Sequence, residues 1–369
     1  MTKQVLIGFI RLKVLAAFVT IKALALLSVT LAAHQQESSL TKIFQRWDAQ
    51  WYRRIAQDGY GYIATTPDGR TLSDYAFFPL YPYLERWVHK FTSLSYINSG
   101  LLISAISSVI AALGIYLVIE RTIGSKIAFY TVILWAALPI AAVQTLAYSE
   151  SLFTALAAWG LYYALKRQWI AAGLFAFFAG LTRPTSIAII LAVMVAVLIE
   201  LQKRRRDKNA LIALLIAPLG MIGYIYWVGT QLDGWNSYFK VTEGWGNGID
   251  GGRAFAAWIT SFFHEGQPIT GLVVLAAITW LMVLLWGLWR KSVPAPILVY
   301  AFTLVLISLA TSGYFGSKPR YLLPAFPLLI PIAIYISKRR RGNQKLILAG
   351  TIMTSLIYSA IWLTGNGPL

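Results

Sequence analysis

The chain contains no cysteine. Disulfides, cysteine-ligated zinc and thiol catalysis are therefore excluded. Histidine is nearly absent: His34, His89 and His264 lie far apart, which argues against a histidine-rich metal site. Charge is thin, at 12% of residues, where a soluble domain carries about 25%. Acids are the scarcer sign, with 14 Asp and Glu against 32 Lys and Arg and a formal net charge of +18. No internal repeat or low-complexity segment is visible. No Gly-x-Gly-x-x-Gly follows a strand-like run, so the sequence offers no nucleotide-sugar fold.

What fills the space is apolar: 58% of the 369 residues. A helix needs about 20 apolar residues to cross a bilayer, fewer when flanking side chains snorkel. Candidate stretches fall at 10–33, 98–119, 127–144, 151–166, 168–182, 184–201, 210–230, 269–289, 294–312, 321–337 and 346–363. The expected fold class is all-α: a polytopic transmembrane helical protein of about 11 spans, one domain over residues 1–369. The first stretch is interrupted by Arg11, Lys13 and Lys22 and lacks a cleavage site, so it reads as a retained span and not a signal peptide.

The excess of basic residues could suggest a nucleic-acid partner, but its placement points elsewhere. Alternate connections carry Arg121 and Lys126; Lys166 and Arg167; Lys203, Arg204, Arg205, Arg206 and Lys208; Arg290 and Lys291; and Lys338, Arg339, Arg340, Arg341 and Lys345. Basic residues gather in cytoplasmic loops, so these runs are topology signals and no nucleic acid is expected. The N-terminus is then cytoplasmic. Of the acids, only Glu120, Glu200 and Asp207 fall on the basic side. Two outer segments are long, 34–97 and 231–268, and long loops are where membrane enzymes keep chemistry. The short stretches 168–182 and 184–201 must form a hairpin with Thr182, Arg183 and Pro184 at its outer tip.

In the first outer segment, residues 44–60 read as one short interfacial helix without interior glycine or proline, stopped by Gly59. At about 100° per residue, Trp47, Trp51, Phe44, Ile55 and Tyr52 share a sector, and Asp48 falls inside it. That is the wrong face for a solvated acid. A carboxylate among rings at a membrane interface is costly unless paired, and such groups tend to be functional. The plain alternative is a helix cap. The rings have their own alternative, since aromatics anchor membrane interfaces. Downstream, Asp74-Tyr75-Ala76-Phe77-Phe78-Pro79-Leu80-Tyr81-Pro82 makes a rigid aromatic element that serves either as an anchor or as a wall for a sugar or lipid. The glycine-dense 244–252 stretch of the second outer segment reads as a mobile loop and a candidate substrate lid.

Together, Trp47-Asp48-Ala49-x-Trp51-Tyr52, Phe77-Phe78-Pro79-Leu80-Tyr81-Pro82, Tyr148-Ser149-Glu150-Ser151-Leu152-Phe153 and Gly180-Leu181-Thr182-Arg183-Pro184 resemble the GPI mannosyltransferase II (PIG-V-like) family, its bacterial relatives most closely. Arg320-Tyr321-Leu322-Leu323-Pro324 resembles that family's last outer loop. The resemblance implies a GT-C membrane glycosyltransferase in the plasma (inner) membrane. It implies inverting transfer of a sugar, mannose by analogy, from a polyprenyl-phosphate donor on the extracytoplasmic face. The acceptor is a glycan, glycolipid or protein. It maps the general base onto Asp48. Donor-phosphate contacts would come from Arg183, Arg320, Lys318 and Arg53, and substrate contacts from Trp47, Trp51, Asp74, Tyr148 and Glu150. The alternative for Arg183 and Arg320 is snorkelling or loop pairing with an acid such as Glu150, and for Glu150 it is a salt bridge that pins its turn. No metal and no cofactor are implied. The competing reading is a transporter or flippase of a lipid-linked envelope precursor. Transporters carry ionisable residues near the midplane and broken helices, whereas the acids here gather outside.

The absence of native cysteine makes topology directly testable. A single cysteine placed at Arg206 should stay protected from an impermeant thiol reagent added outside intact cells. One at Asp68 should label; labelling at position 206 would overturn the alternation.

Overall fold

The computed structural model describes residues 3–203, 207–291 and 293–365; the basic run Arg204–Arg206 lies outside them. Helix α1 (Lys3–Gln35) leads into α2 (Leu40–Phe44) and α3 (Asp48–Asp58). A two-stranded antiparallel hairpin follows, β1 (Ile63–Thr65) and β2 (Thr71–Ser73), with Ile63 opposite Ser73. Then come α4 (Leu80–Thr92), α5 (Tyr96–Thr122), α6 (Ser125–Ala136), α7 (Glu150–Leu165), α8 (Trp169–Gly180), α9 (Ile187–Lys203) and α10 (Lys208–Gln231). The second long loop holds α11 (Ser237–Gly244) and α12 (Arg253–His264). The chain ends with α13 (Pro268–Arg290), α14 (Ala295–Ala310), α15 (Lys318–Tyr321), α16 (Ile330–Ser337) and α17 (Arg341–Thr364).

This is a mostly helical membrane protein, as the hydropathy requires. Among the described residues, six helices are long and apolar enough to cross a bilayer: Ile10–Gln35, Tyr96–Thr122, Pro184–Lys203, Lys208–Gln231, Pro268–Arg290 and Arg341–Thr364. Two more spans arise if each sharply bent pair counts as one: Ser125–Ala136 with Pro139–Thr145, bent 81°, and Phe315–Tyr321 with Phe326–Ser337, bent 79°. Of the other stretches on which the count of about 11 rests, α8 has 12 residues and α7 and α14 have 16 each. At 1.5 Å per residue these are shorter than the roughly 30 Å hydrocarbon layer.

A bend inside a membrane frees backbone carbonyls that must find donors. The α6 bend shows how. Lys22 Nζ donates to the carbonyls of Ala136 (3.2 Å) and Ala141 (3.0 Å), and Ser355 Oγ to that of Leu138 (2.9 Å). At the second bend, Trp135 Nε1 reaches Leu323 O (3.0 Å) and the Tyr300 hydroxyl reaches Pro324 O (2.9 Å). Trp135, Tyr300, Tyr116 and Phe326 are also among the largest side chains of the buried core. The bends are therefore held by core residues, and they bring residues 139–150 and 315–329 to the same end of the bundle as both long loops.

Helices without a hydrophobic drive between them pack through small residues. Helices α8 and α10 meet this way. A Cβ on Gly220 would overlap the Phe177 carbonyl oxygen, and one on Gly180 would lie 2.7 Å from the Met221 amide. This contact fixes the tip after α8, where Leu80 N donates to Leu181 O (2.9 Å) and docks the first long loop. Gly220→Val should therefore destabilise the fold by about 1–3 kcal/mol, read as a lowered melting temperature in detergent. Gly223→Ala, where a Cβ meets open space, should be neutral or stabilising. Equal behaviour of the two variants would remove the close-packing argument.

Candidate active site

The single helix expected over residues 44–60 is two. The chain breaks after α2 and Trp47 takes φ 54° and ψ −126° before α3 starts at Asp48. A bulky residue in that region costs on the order of 1–3 kcal/mol and persists only where its surroundings enforce it. Here the Trp47 ring stacks on Trp362 of α17, with centroids 6.2 Å apart. The break turns Trp47 away from the sector assigned to it and leaves Asp48 as the first residue of α3. Negative charge suits that position next to unpaired helix amides. Gly59, at φ 89°, ends the helix as expected. Trp51 stacks on Phe77 (5.7 Å) and meets the edge of Trp245 (4.9 Å) from the second long loop.

Asp48 is not left alone among rings. Arg320 Nη2 donates to its Oδ2 (2.6 Å), joining residues 272 apart in sequence. Arg320 Nε also lies 2.9 Å from Glu150 Oε1, and Arg183 Nη1 lies 2.8 Å from the same oxygen. Asp48, Arg320, Glu150 and Arg183 thus form one chain of ion pairs, two acids and two bases. Glu150 and Arg183 are almost fully buried, whereas the Asp48 side chain keeps 22% of its surface. The contacts at Glu150 Oε1 are close in distance but off-axis for hydrogen bonds. Tyr148 is buried under the Arg320 guanidinium (5.2 Å), with its hydroxyl close to the Asp48 backbone. Tyr52, one turn along from Asp48, donates to Ser149 Oγ (2.8 Å) and so ties α3 to the start of α7.

Lys318 differs from the arginines. Its ammonium donates to the carbonyls of Ser308 (2.6 Å) and Thr311 (2.5 Å) and lies over the rings of Phe255 (4.9 Å) and Phe315 (5.3 Å). No described carboxylate comes within ion-pair distance of it. It is buried, two residues before Arg320 in α15, and an ammonium has three protons to donate.

Other expected contacts go elsewhere. Arg53 donates to Gln57 (3.2 Å) and lines a separate depression of about 450 Å³ with Arg54, Tyr60 and Tyr62, away from the ion-pair chain. Asp74 is fully buried and accepts from the amides of Gly61 (3.1 Å) and Tyr62 (3.0 Å), so it braces the hairpin. Burial raises its pKa above the ordinary carboxylate value, against the pull of those amides. The glycine-dense loop is anchored. Trp245 Nε1 donates to Ser73 O (2.9 Å), Gly248 N to Ser312 Oγ (2.8 Å), and Asp250 accepts from Gly252 N (2.8 Å) and Ala254 N (2.7 Å) at the start of α12. The Ala254 amide, foremost, holds the Asp250 carboxyl below its usual range.

One buried acid escaped the sequence reading. Glu85 of α4 is fully buried against Gly100 of α5, and neither carboxyl oxygen has a partner among the described residues. Burial pushes its pKa well above the carboxylate range, with Arg53 acting in the opposite sense. The signal was present: Glu85 shares the inner face of α4 with Tyr81, four residues before it. Among the described residues, no three His, Asp or Glu side chains come together as a metal ion would need.

Residues 52–368 match the EpsG family. The chain belongs to the EpsG family. Asp48 lies just before the matched region. No curated protein matches the sequence. Among solved structures, the chain is similar to ArnT from Cupriavidus metallidurans bound to undecaprenyl phosphate, at 16% identity and a TM-score of 0.57 over 95% of this chain and 66% of that one. It is also similar to the apo oligosaccharyltransferase of Archaeoglobus fulgidus, at 14% identity and 0.55 over 97% and 56%. The same organism's AglB in complex with an inhibitory peptide and a dolichol-phosphate gives 12%, 0.51, 95% and 56%. This EpsG-family chain spans two thirds or less of the length of these proteins. Its fold is GT-C-like.

The ion-pair chain predicts an order of stabilities. Removing one partner of a buried pair costs about 3–5 kcal/mol, because the other charge stays buried. Glu150→Gln strips both arginines of a shared counter-ion, so its melting temperature should fall further than that of Asp48→Asn, whose carboxylate is partly solvated. The reverse order would show that Glu150 does not neutralise the two arginines.

Proposed function

We propose that this EpsG-family protein is an inverting membrane glycosyltransferase that takes its sugar from a polyprenyl-phosphate donor. The observation that carries the reading is the meeting of Asp48 with Arg320 on a GT-C-like fold, whose neighbours ArnT and AglB have been captured with undecaprenyl phosphate and a dolichol-phosphate. Asp48 is the general base. One of its oxygens is held by Arg320 and the other accepts no hydrogen bond from a described residue, leaving it free for an acceptor hydroxyl. As the hydroxyl oxygen attacks the anomeric carbon, its proton passes to Asp48, and the bond to the phosphate oxygen breaks on the opposite side. The leaving phosphate needs positive charge and not a strong acid. Lys318 offers an ammonium with no described carboxylate within ion-pair distance. Arg320 retains donors beyond the two aimed at Asp48 and Glu150, because a guanidinium has five. Arg183, almost fully buried and 2.8 Å from Glu150 Oε1, orients Glu150 and, through it, Arg320. Mannose is the sugar, and the reaction lies on the extracytoplasmic face; both rest on the motif resemblance and the charge alternation. Asp74 and Arg53 have no part in this scheme.

The test is transfer by the purified protein in the presence of a chelator. Polyprenyl-phosphate mannose should support turnover, and GDP-mannose should not. Asp48→Asn should lower turnover by about 10²–10⁴-fold, the usual contribution of a general base, with donor binding little changed. Lys318→Ala should weaken donor binding instead. Transfer from the nucleotide sugar would reject the donor class, and near-normal turnover of Asp48→Asn would reduce Asp48 to a counter-ion of Arg320.

A further inference from the structure

A second concavity lies at the opposite end of the bundle from Asp48. It is a groove of about 760 Å³ between the first helix and the far ends of α5 and α7, within the range of small-molecule sites. Helix α7 starts at Glu150, so Lys166 at its far end stands about 24 Å along the axis from the candidate active site. The two sites are therefore separate.

The groove has two chemistries. Its rim carries Arg11, Lys166 and Gln168, and its floor is Leu113, Leu117 and Trp159. Arg11 Nη2 is engaged by Glu120 (3.0 Å), but Arg11 Nε is a buried donor with no acceptor among the described residues. Lys166 is exposed; its ammonium rests over the Tyr162 ring (5.4 Å), with no described carboxylate within ion-pair distance. Glu120 is itself held by Arg11 and by the Tyr116 hydroxyl (3.1 Å), so the rim keeps a net positive charge. Trp159 Nε1 donates to Ile110 O (3.1 Å), which fixes the indole as a wall. Donors without acceptors gather at one end, and an apolar channel runs toward the middle of the membrane from the other.

We propose that this groove binds one anionic phospholipid, its phosphate between Arg11, Lys166 and Gln168 and one acyl chain along Leu113, Leu117 and Trp159. Basic pockets between transmembrane helices select anionic headgroups. The floor suits a lipid tail and no polar ligand. A zwitterionic lipid would bring a second cation to a rim that is already positive, so the site discriminates against it.

Native mass spectrometry of the full chain in detergent, with phosphatidylglycerol and phosphatidylcholine of identical chains in competition, reads this directly. The wild type should retain one phosphatidylglycerol in preference to phosphatidylcholine. Lys166→Ala should lower that retention about fivefold, the effect of one basic residue on an anionic headgroup. Leu113→Trp should fill the channel and reduce retention of both lipids. Lys345→Ala removes an exposed basic residue outside the groove and should leave retention unchanged. Equal retention of the two lipids, wild-type retention by Lys166→Ala, or an equal loss in Lys345→Ala would each overturn the site.

Discussion

Arg320 is the constraint on which the rest of the loop end depends. Its guanidinium is nearly buried and faces two carboxylates, Asp48 and Glu150, from distant parts of the chain. A charge taken out of water must be paired or hydrogen-bonded, or its desolvation dominates. Arg320 therefore fixes where α3 begins, where α7 begins and how the 315–329 bend sits between them. Glu150 passes the constraint on to Arg183 at the tip after α8. Four segments that hydropathy alone would leave free to slide are tied to one another by charge. The aromatic contacts among Trp51, Phe77 and Trp245 then close the two long loops over this chain.

The ion pairs also sort the cations by availability. Arg183 and Arg320 are compensated by Glu150 and Asp48 in direct ion pairs, whereas the Lys318 ammonium is held by carbonyls and rings, with Asp250 acting on it only beyond ion-pair distance. Carbonyl dipoles and ring faces lower the cost of burying an ammonium without cancelling its charge. An anion approaching this end of the bundle thus meets an ammonium outside the ion-pair chain and a guanidinium with spare donors.

Much of this was legible in the sequence, and the failures have physical causes. Asp48 stood out because it fell on the wrong face of an amphipathic pattern, and the structure supplies the partner that such an acid requires. The tip at Arg183 followed from the proline after it. The hairpin did not register, although Pro67-Asp68-Gly69 is a turn signal and Gly69 takes φ 83° there. The break at Trp47 left no signal, because no glycine or proline marks it; stacking on Trp362, more than 300 residues later, enforces it. Span counting suffered likewise. Hydropathy cannot distinguish a straight span from one bent by about 80° whose carbonyls are met by Lys22 or Trp135. Glycine density at 244–252 suggested mobility, yet side-chain anchors at Trp245, Asp250 and Ser312 hold the loop.

The separation between Asp48 and Arg320 along the chain sets a schedule for assembly. Synthesis proceeds at about 5–20 residues per second, so the aspartate leaves the ribosome on the order of tens of seconds before the arginine that will neutralise it. Glu150 and Arg183 emerge in between, close enough in time to find each other first. The acid of the first long loop must wait, hydrated and unpaired, until the final helices enter the bilayer. A truncated product ending before Arg320 would hold most of its spans and yet lack the charge that draws α3 into place.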